Sequence, residues 1–283
     1  MHPIFYMLEK EFLQHKIVTR LPLFVLAFTI LLSLFIIFNF DANVEFSISG
    51  IGNDQILNLQ EGVIATINFG AMIVSFLLST LYLSKAICGD RQDGSIAFWR
   101  SMPISDLSTQ LVKLGFALLI IPLVCSMLVL SADLFLWILS IFSPDHVKFL
   151  IGDISFLSVL QNYFSFLMNM FFIGIALLPF ACVIFAVSQL SESPLLITLI
   201  GIYALKVAFG LIFPMSGLDH FVYQFINLPT SLLFTNEPVH FISQLSIIPI
   251  VSMYVIAGAF FIVSLSIQKH GEFRIKHVLQ GYK

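Results

Sequence analysis

The stretch that decides the fold is YFSFLMNMFFIGIALLPFACVIFAV, residues 163–187, which contains no charged side chain. A helix rises about 1.5 Å per residue, so an apolar run near twenty residues long is what crosses a bilayer core of about 30 Å. Inside hydrocarbon every backbone amide needs a partner within its own segment, and a run of this length is not the half-polar pattern of a barrel strand. Residues 163–187 therefore predict a transmembrane helix. Comparable runs occupy 21–38, 63–83, 111–130, 194–213 and 247–267.

Composition points the same way. The 283-residue chain is 59% hydrophobic and 10% charged, against roughly 25% charged residues in soluble domains, and its mean hydropathy is +1.00. The expected fold class is all-α: a polytopic membrane protein with six transmembrane helices in one domain over 1–283, without a soluble domain or internal repeat. Pro22 and Pro194 suit the first turn of a helix, whereas Pro122, Pro179 and Pro249 fall inside apolar runs and predict local kinks.

Orientation follows from the basic residues. Lys10, Lys16 and Arg20 precede the first run, Lys85, Arg91, Arg100 and Lys113 separate the second from the third, and Lys269, Arg274, Lys276 and Lys283 follow the last. Among the connecting segments of the other face stands Lys148 alone. Because Lys and Arg accumulate on the cytoplasmic side, both termini are expected there, in a bacterial inner membrane. The N-terminal segment, charged and without a small-residue cleavage site, does not read as a removed signal peptide.

Two further elements are expected. Met1, Ile4, Phe5, Leu8 and Phe12 line one helical stripe with Lys10 and Gln14 opposite, which predicts a helix lying in the cytoplasmic interface. Residues 221–234 are apolar but too short to cross, and Pro229 beside Asn227, Thr230 and Ser231 predicts a re-entrant or interfacial hairpin on the outer side.

Several chemistries lack their residues. The histidines, at 2, 15, 146, 220, 240, 270 and 277, all lie outside the expected spans, which argues against transmembrane haem ligation and against a serine protease with a His base at depth. A zinc-protease pair of His around Glu is missing. Cys88, Cys125 and Cys182 form neither a disulfide framework nor a metal-ligand spacing. A net charge of −3 gives no basic excess for nucleic acid. Gly89 to Gly94 has the glycine spacing of a phosphate-binding loop, but Ser95 and Ile96 stand where Lys and a hydroxyl would be needed. No cofactor is expected in this chain.

The most informative polar stretch is CGDRQDGSIAFWRSMPISDLSTQLVK, residues 88–113, between the second and third runs on the cytoplasmic side. Gly94 can break a helix continuing from the second run, Ser95 can cap the next one, and Pro103 can end it. Ile96, Trp99 and Met102 recur every third residue and give that short helix an apolar edge with an aromatic anchor for a partner groove. The alternative is an interfacial loop with Trp99 and Arg100 among lipid headgroups.

This segment resembles the signature loop of the ABC type-2 permease family. In that family an acidic residue and Arg are followed by Gly and a small hydroxyl residue, then a short amphipathic helix, then Pro with an aliphatic and a hydroxyl residue, and then Lys opening the next span. Asp90 and Arg91, Gly94 and Ser95, Pro103, Ile104 and Ser105, and Lys113 match without a gap. Gln92, Ala97 and the Phe98–Trp99–Arg100 stretch depart from it. The resemblance implies a half-transporter: a second permease chain completes the path, and a separate cytoplasmic ATPase subunit binds ATP and magnesium. It implies partner coupling through Asp90, Arg91, Gly94, Ser95, Trp99 and Pro103, and export of lipids, saccharides, peptides or drugs.

Lys206 in the fifth run and Asp133 near the outer end of the third are charges at depth. Such groups face the bundle interior, a wet cavity or each other, so both are candidates for the translocation path or a structural ion pair. A secondary transporter driven by an ion gradient, and a non-catalytic membrane assembly factor, are the alternatives.

Overall fold

The computed structural model describes residues 3–16, 53–92, 105–142, 154–212, 216–235, 238–244 and 247–270, with scattered positions between 20 and 31. All regular structure among the described residues is helical. In chain order the helices are α1 (Pro3–Gln14), α2 (Asn53–Ala86), α3 (Cys88–Gln92), α4 (Asp106–Gly115), a π-helical turn (Phe116–Ile120), α5 (Ile121–Phe142), α6 (Phe156–Ser188), α7 (Pro194–Ile212), α8 (Ser216–Leu233), α9 (Pro238–Gln244) and α10 (Ile247–His270).

Four stretches among the described residues are long and apolar enough to cross a membrane: Ile64–Asp90, Asp106–Ile138, Phe156–Ser188 and Ile247–Lys269. Apolar helices of this length mark a membrane-embedded chain. They contain four of the expected runs. The run at 194–213 forms α7, whose described apolar stretch, Pro194–Ala208, is shorter, and the run at 21–38 lies for the most part outside the described residues. Of the segment 221–234, residues 221–233 belong to one helix, α8, with Pro229 inside it rather than at a break. After Leu233 the helix ends in a turn at Phe234 and Thr235, whose amides bond the carbonyls of Ser231 and Leu232.

The prolines act through the carbonyls they leave without donors. Pro194 opens α7 as expected. Pro249 sits in the first turn of α10, where no preceding helical carbonyl is lost, so the kink expected there has no cause. Pro179 is interior to α6 and deprives the Ile175 carbonyl, four residues back, of its donor. The hydroxyl of Tyr254 on α10 supplies one at 2.9 Å. Pro122 is the second residue of α5, and the π turn ends two residues before it.

The chain divides into two compact units, one of residues 1–14, 77–120 and 171–283 and one of residues 15–76 and 121–170. In the first, Leu83, Phe116, Ala181, Ile184 and Phe185 are fully enclosed. Phe116 stacks edge-on with Phe12 of α1 at 5.0 Å and packs against Tyr82 of α2 at 4.8 Å. In the second, Ile121, Cys125, Val129 and Phe166 form the core.

Candidate functional site

The polar centre of the first unit gathers charged groups from α1, α3 and α4 against the last turns of α2. Lys113, three residues before the π turn, is 3% exposed, and its ammonium meets Asp90 Oδ2 at 2.5 Å and Glu11 Oε1 at 3.6 Å. The same ammonium donates to the carbonyl of Ala86, in the last turn of α2. Lys10 Nζ bonds the other Asp90 oxygen at 3.0 Å, and Gln14 Nε2 reaches that oxygen at 3.4 Å. The hydroxyl of Tyr82 donates to Glu11 Oε2 at 2.6 Å. Two ammonium groups thus face two carboxylates, which is how charges are tolerated away from water.

Local sequence explains how each group arrives. Lys10, Glu11 and Gln14 share a face of α1 at spacings of three and four residues, together with buried Met7. The face that carries Phe5 and Leu13, 70% and 63% exposed, is turned outward. Lys10 and Gln14, expected on the wet side of an interfacial helix, are half-buried and exposed respectively, and both also reach the Asp90 carboxylate. α4 begins where Ser105 Oγ accepts from the Ser108 amide at 3.2 Å, an N-cap that sets the register bringing Lys113 inward. Gln110, on the same helix, donates to Ser264 Oγ at 3.0 Å and Gln268 Oε1 at 2.6 Å on α10.

Of the residues read from the loop, Asp90 is buried at the centre of this cluster and Arg91 lies in α3. Gly94, Ser95, Trp99 and Pro103 lie outside the described residues. Lys10, Glu11 and Tyr82 were not singled out as site residues from the sequence. The signal that would have found the first two is a polar face on a helix otherwise apolar, close in space to an acidic loop, and only the second half of that is invisible in one dimension.

Asp133 and Lys206 belong to different units. Asp133 is 4% exposed and accepts from Asn162 Nδ2 at 2.6 Å. Asn162 Oδ1 in turn accepts from Asn68 Nδ2 at 2.8 Å, so α5, α6 and α2 share one polar joint. Lys206 is half-buried on α7 and makes no ion pair among the described residues. Among the described residues no group of His, Cys, Asp and Glu is arranged to hold a metal ion.

Comparison of the chain with sequence families, with curated proteins and with solved structures gives no match.

Proposed function

We propose that this chain is the membrane-spanning permease subunit of an ATP-driven ABC exporter, powered by a separate cytoplasmic ATPase and paired with a second permease chain. The observation that carries the reading is the spacing of residues 88–113. In support of it, Asp90 near the start of that segment and Lys113 at its end are ion-paired at 2.5 Å. A loop whose two ends are clamped together can transmit a push on its middle to the helices that flank it, instead of absorbing it by flexing. The proposal includes six spans, with 21–38 and 194–213 crossing, a re-entrant outer hairpin between the fifth and sixth spans whose arms are α8 and α9, and both termini in the cytoplasm of a bacterial inner membrane.

The experiment is co-purification of a co-expressed ABC ATPase, together with substrate-stimulated ATP hydrolysis in reconstituted membranes, for Trp99→Ala and Gly94→Pro. Truncating an aromatic anchor costs about 2 kcal/mol or more when it fills a partner groove, so Trp99→Ala should lose partner recovery. Gly94→Pro should keep the partner and lose stimulation, because it forbids the turn that aims the helix. Normal recovery and normal stimulation in both variants would remove the coupling role.

One observation favours the second reading, transport driven by an ion gradient. Asp133 is a buried carboxylate on an apolar helix whose hydrogen-bond partner is a neutral amide. Uptake or efflux that persists without ATP and collapses with an uncoupler would select that reading over the first.

A further inference from the structure

We propose that Gln110 and Gln268 are positioning residues: they fasten the C-terminal end of α10 to the closing end of the segment 88–113, so that a push on that segment reaches the last helix. The push belongs to the permease reading, on which this part rests; the fastening stands on geometry alone. Gln110 Nε2 donates to Gln268 Oε1 at 2.6 Å and to Ser264 Oγ at 3.0 Å. Gln268 Nε2 donates in turn to Asp106 Oδ1 at 3.2 Å. One side chain of α10 thereby bonds two successive turns of α4, at residues 106 and 110.

Helices in lipid have no hydrophobic drive to associate, so close packing and interhelical hydrogen bonds hold them together. Met253, Ala257 and Ser264 are the buried residues of α10, on one stripe with Gln268, whereas Val255, Ile262 and Val263 are 67%, 67% and 47% exposed. In the last two turns of α10 the bonds to α4 are made by Ser264 and Gln268. α4 is suited to pass a load between its neighbours. It is 10 residues long, N-capped by Ser105, and its buried side chains Gln110 and Lys113 stand one turn apart. Lys113 is paired with Asp90 and Glu11, and Gln110 with α10. One short helix therefore holds the start of the segment 88–113 by one side chain and the end of α10 by the other, and a hydrogen-bonded helix does not stretch between them.

Hydrogen exchange read by mass spectrometry in reconstituted membranes tests the fastening in the chain alone. Exchange follows local opening, and one net hydrogen bond corresponds to a factor of about five. Gln110→Leu, which keeps the bulk and removes the donors, should speed exchange of the α10 amides 264–270 by about that factor. Gln268→Leu should do the same across the gap, at 109–115 of α4. Lys269→Gln, at an exposed position of the same turn of α10, should leave both segments as in the parent. Parent-like exchange in both Leu variants, or an equal rise across α6, would overturn the fastening. A second measurement adds a co-expressed ABC ATPase trapped with ATP and vanadate. In the parent, trapping should alter exchange at 88–113 and at 264–270; in Gln268→Leu the first response should remain and the second be lost. A response at 264–270 that survives Gln268→Leu overturns the transmission. Trapping that alters neither segment in the parent overturns the permease reading and the push with it, while the chain alone still decides the fastening.

Discussion

The hydroxyl of Tyr254 donates to the carbonyl of Ile175 at 2.9 Å, and that carbonyl is the one Pro179 leaves without a helical donor. The bond joins α10 to α6 at the place where α6 has lost its own. Tyr254→Phe keeps the ring and removes the bond, and should lower stability by about 1 kcal/mol. Pro179→Ala returns an N–H to α6, so Tyr254→Phe should cost much less in that background. Thermal unfolding of the two single variants and the double variant in detergent closes the cycle, and strict additivity would show that the carbonyl does not link the two residues.

The ion cluster makes a stronger demand. Lys113→Met removes the ammonium that Glu11 and Asp90 share and leaves two carboxylates with one fewer cation, a change that costs about 3–5 kcal/mol at buried pairs. Cys88, 6% exposed and 3.5 Å from the Glu192 carbonyl, lies beside the cluster and reports its opening. Alkylation of Cys88, read by mass spectrometry, should speed up by at least about tenfold, since each 1.4 kcal/mol is a factor of ten. Glu11→Gln combined with Lys113→Met should recover part of the protection, because one charge of each sign is then gone. An unchanged rate in Lys113→Met would mean that the cluster does not hold this end of the helices together.

What was legible in the sequence follows from how far each signal reaches. The apolar runs at 63–83, 111–130, 163–187 and 247–267 set helices because hydrophobic length is a local quantity, and the structure extends several of them: α2 begins at Asn53 and α6 at Phe156, before their apolar cores. Asp90 and Lys113 were found through their spacing along one loop. Lys10 and Glu11 pair with them across the fold, and the amphipathic pattern of α1 told which face was polar without telling that Glu11 at its edge is buried. Pro122 pointed to a kink, whereas the π turn before it, with the Ser79 hydroxyl of another helix donating to its Ala117 carbonyl, has no local signature in the sequence. Residue 229 shows the reverse error: proline beside polar residues looked like a break, and α8 runs through it.

Asp133 tests whether the joint with Asn162 and Asn68 needs a carboxylate or only an acceptor. Asp133→Asn keeps an oxygen for Asn162 Nδ2 and should retain the thermal stability of the parent. Asp133→Leu leaves the Asn162 amide buried without its acceptor at 2.6 Å, at a cost of about 1–3 kcal/mol. Equal melting of the Leu variant and the parent would show that the bond adds nothing to the packing of α5 and α6.

The orientation inferred from Lys and Arg has a direct check in α2. That helix runs unbroken from Asn53 to Ala86, 34 residues or about 50 Å at 1.5 Å per residue, against a hydrocarbon core of about 30 Å. Its two ends therefore emerge on opposite faces, and Asp54 and Cys88 cannot both be reached from one side. On the proposed orientation, the end beside Cys88, where the basic residues accumulate, is the cytoplasmic one. In a chain with Cys88, Cys125 and Cys182 replaced by Ser, Asp54→Cys and Glu237→Cys should each react with a membrane-impermeant maleimide in whole cells. A cysteine restored at 88, in the Lys113→Met background that exposes it, should react only after permeabilisation. The opposite pattern would invert the whole chain and put the ion cluster and the loop 88–113 outside the cell, where no ATPase could reach them.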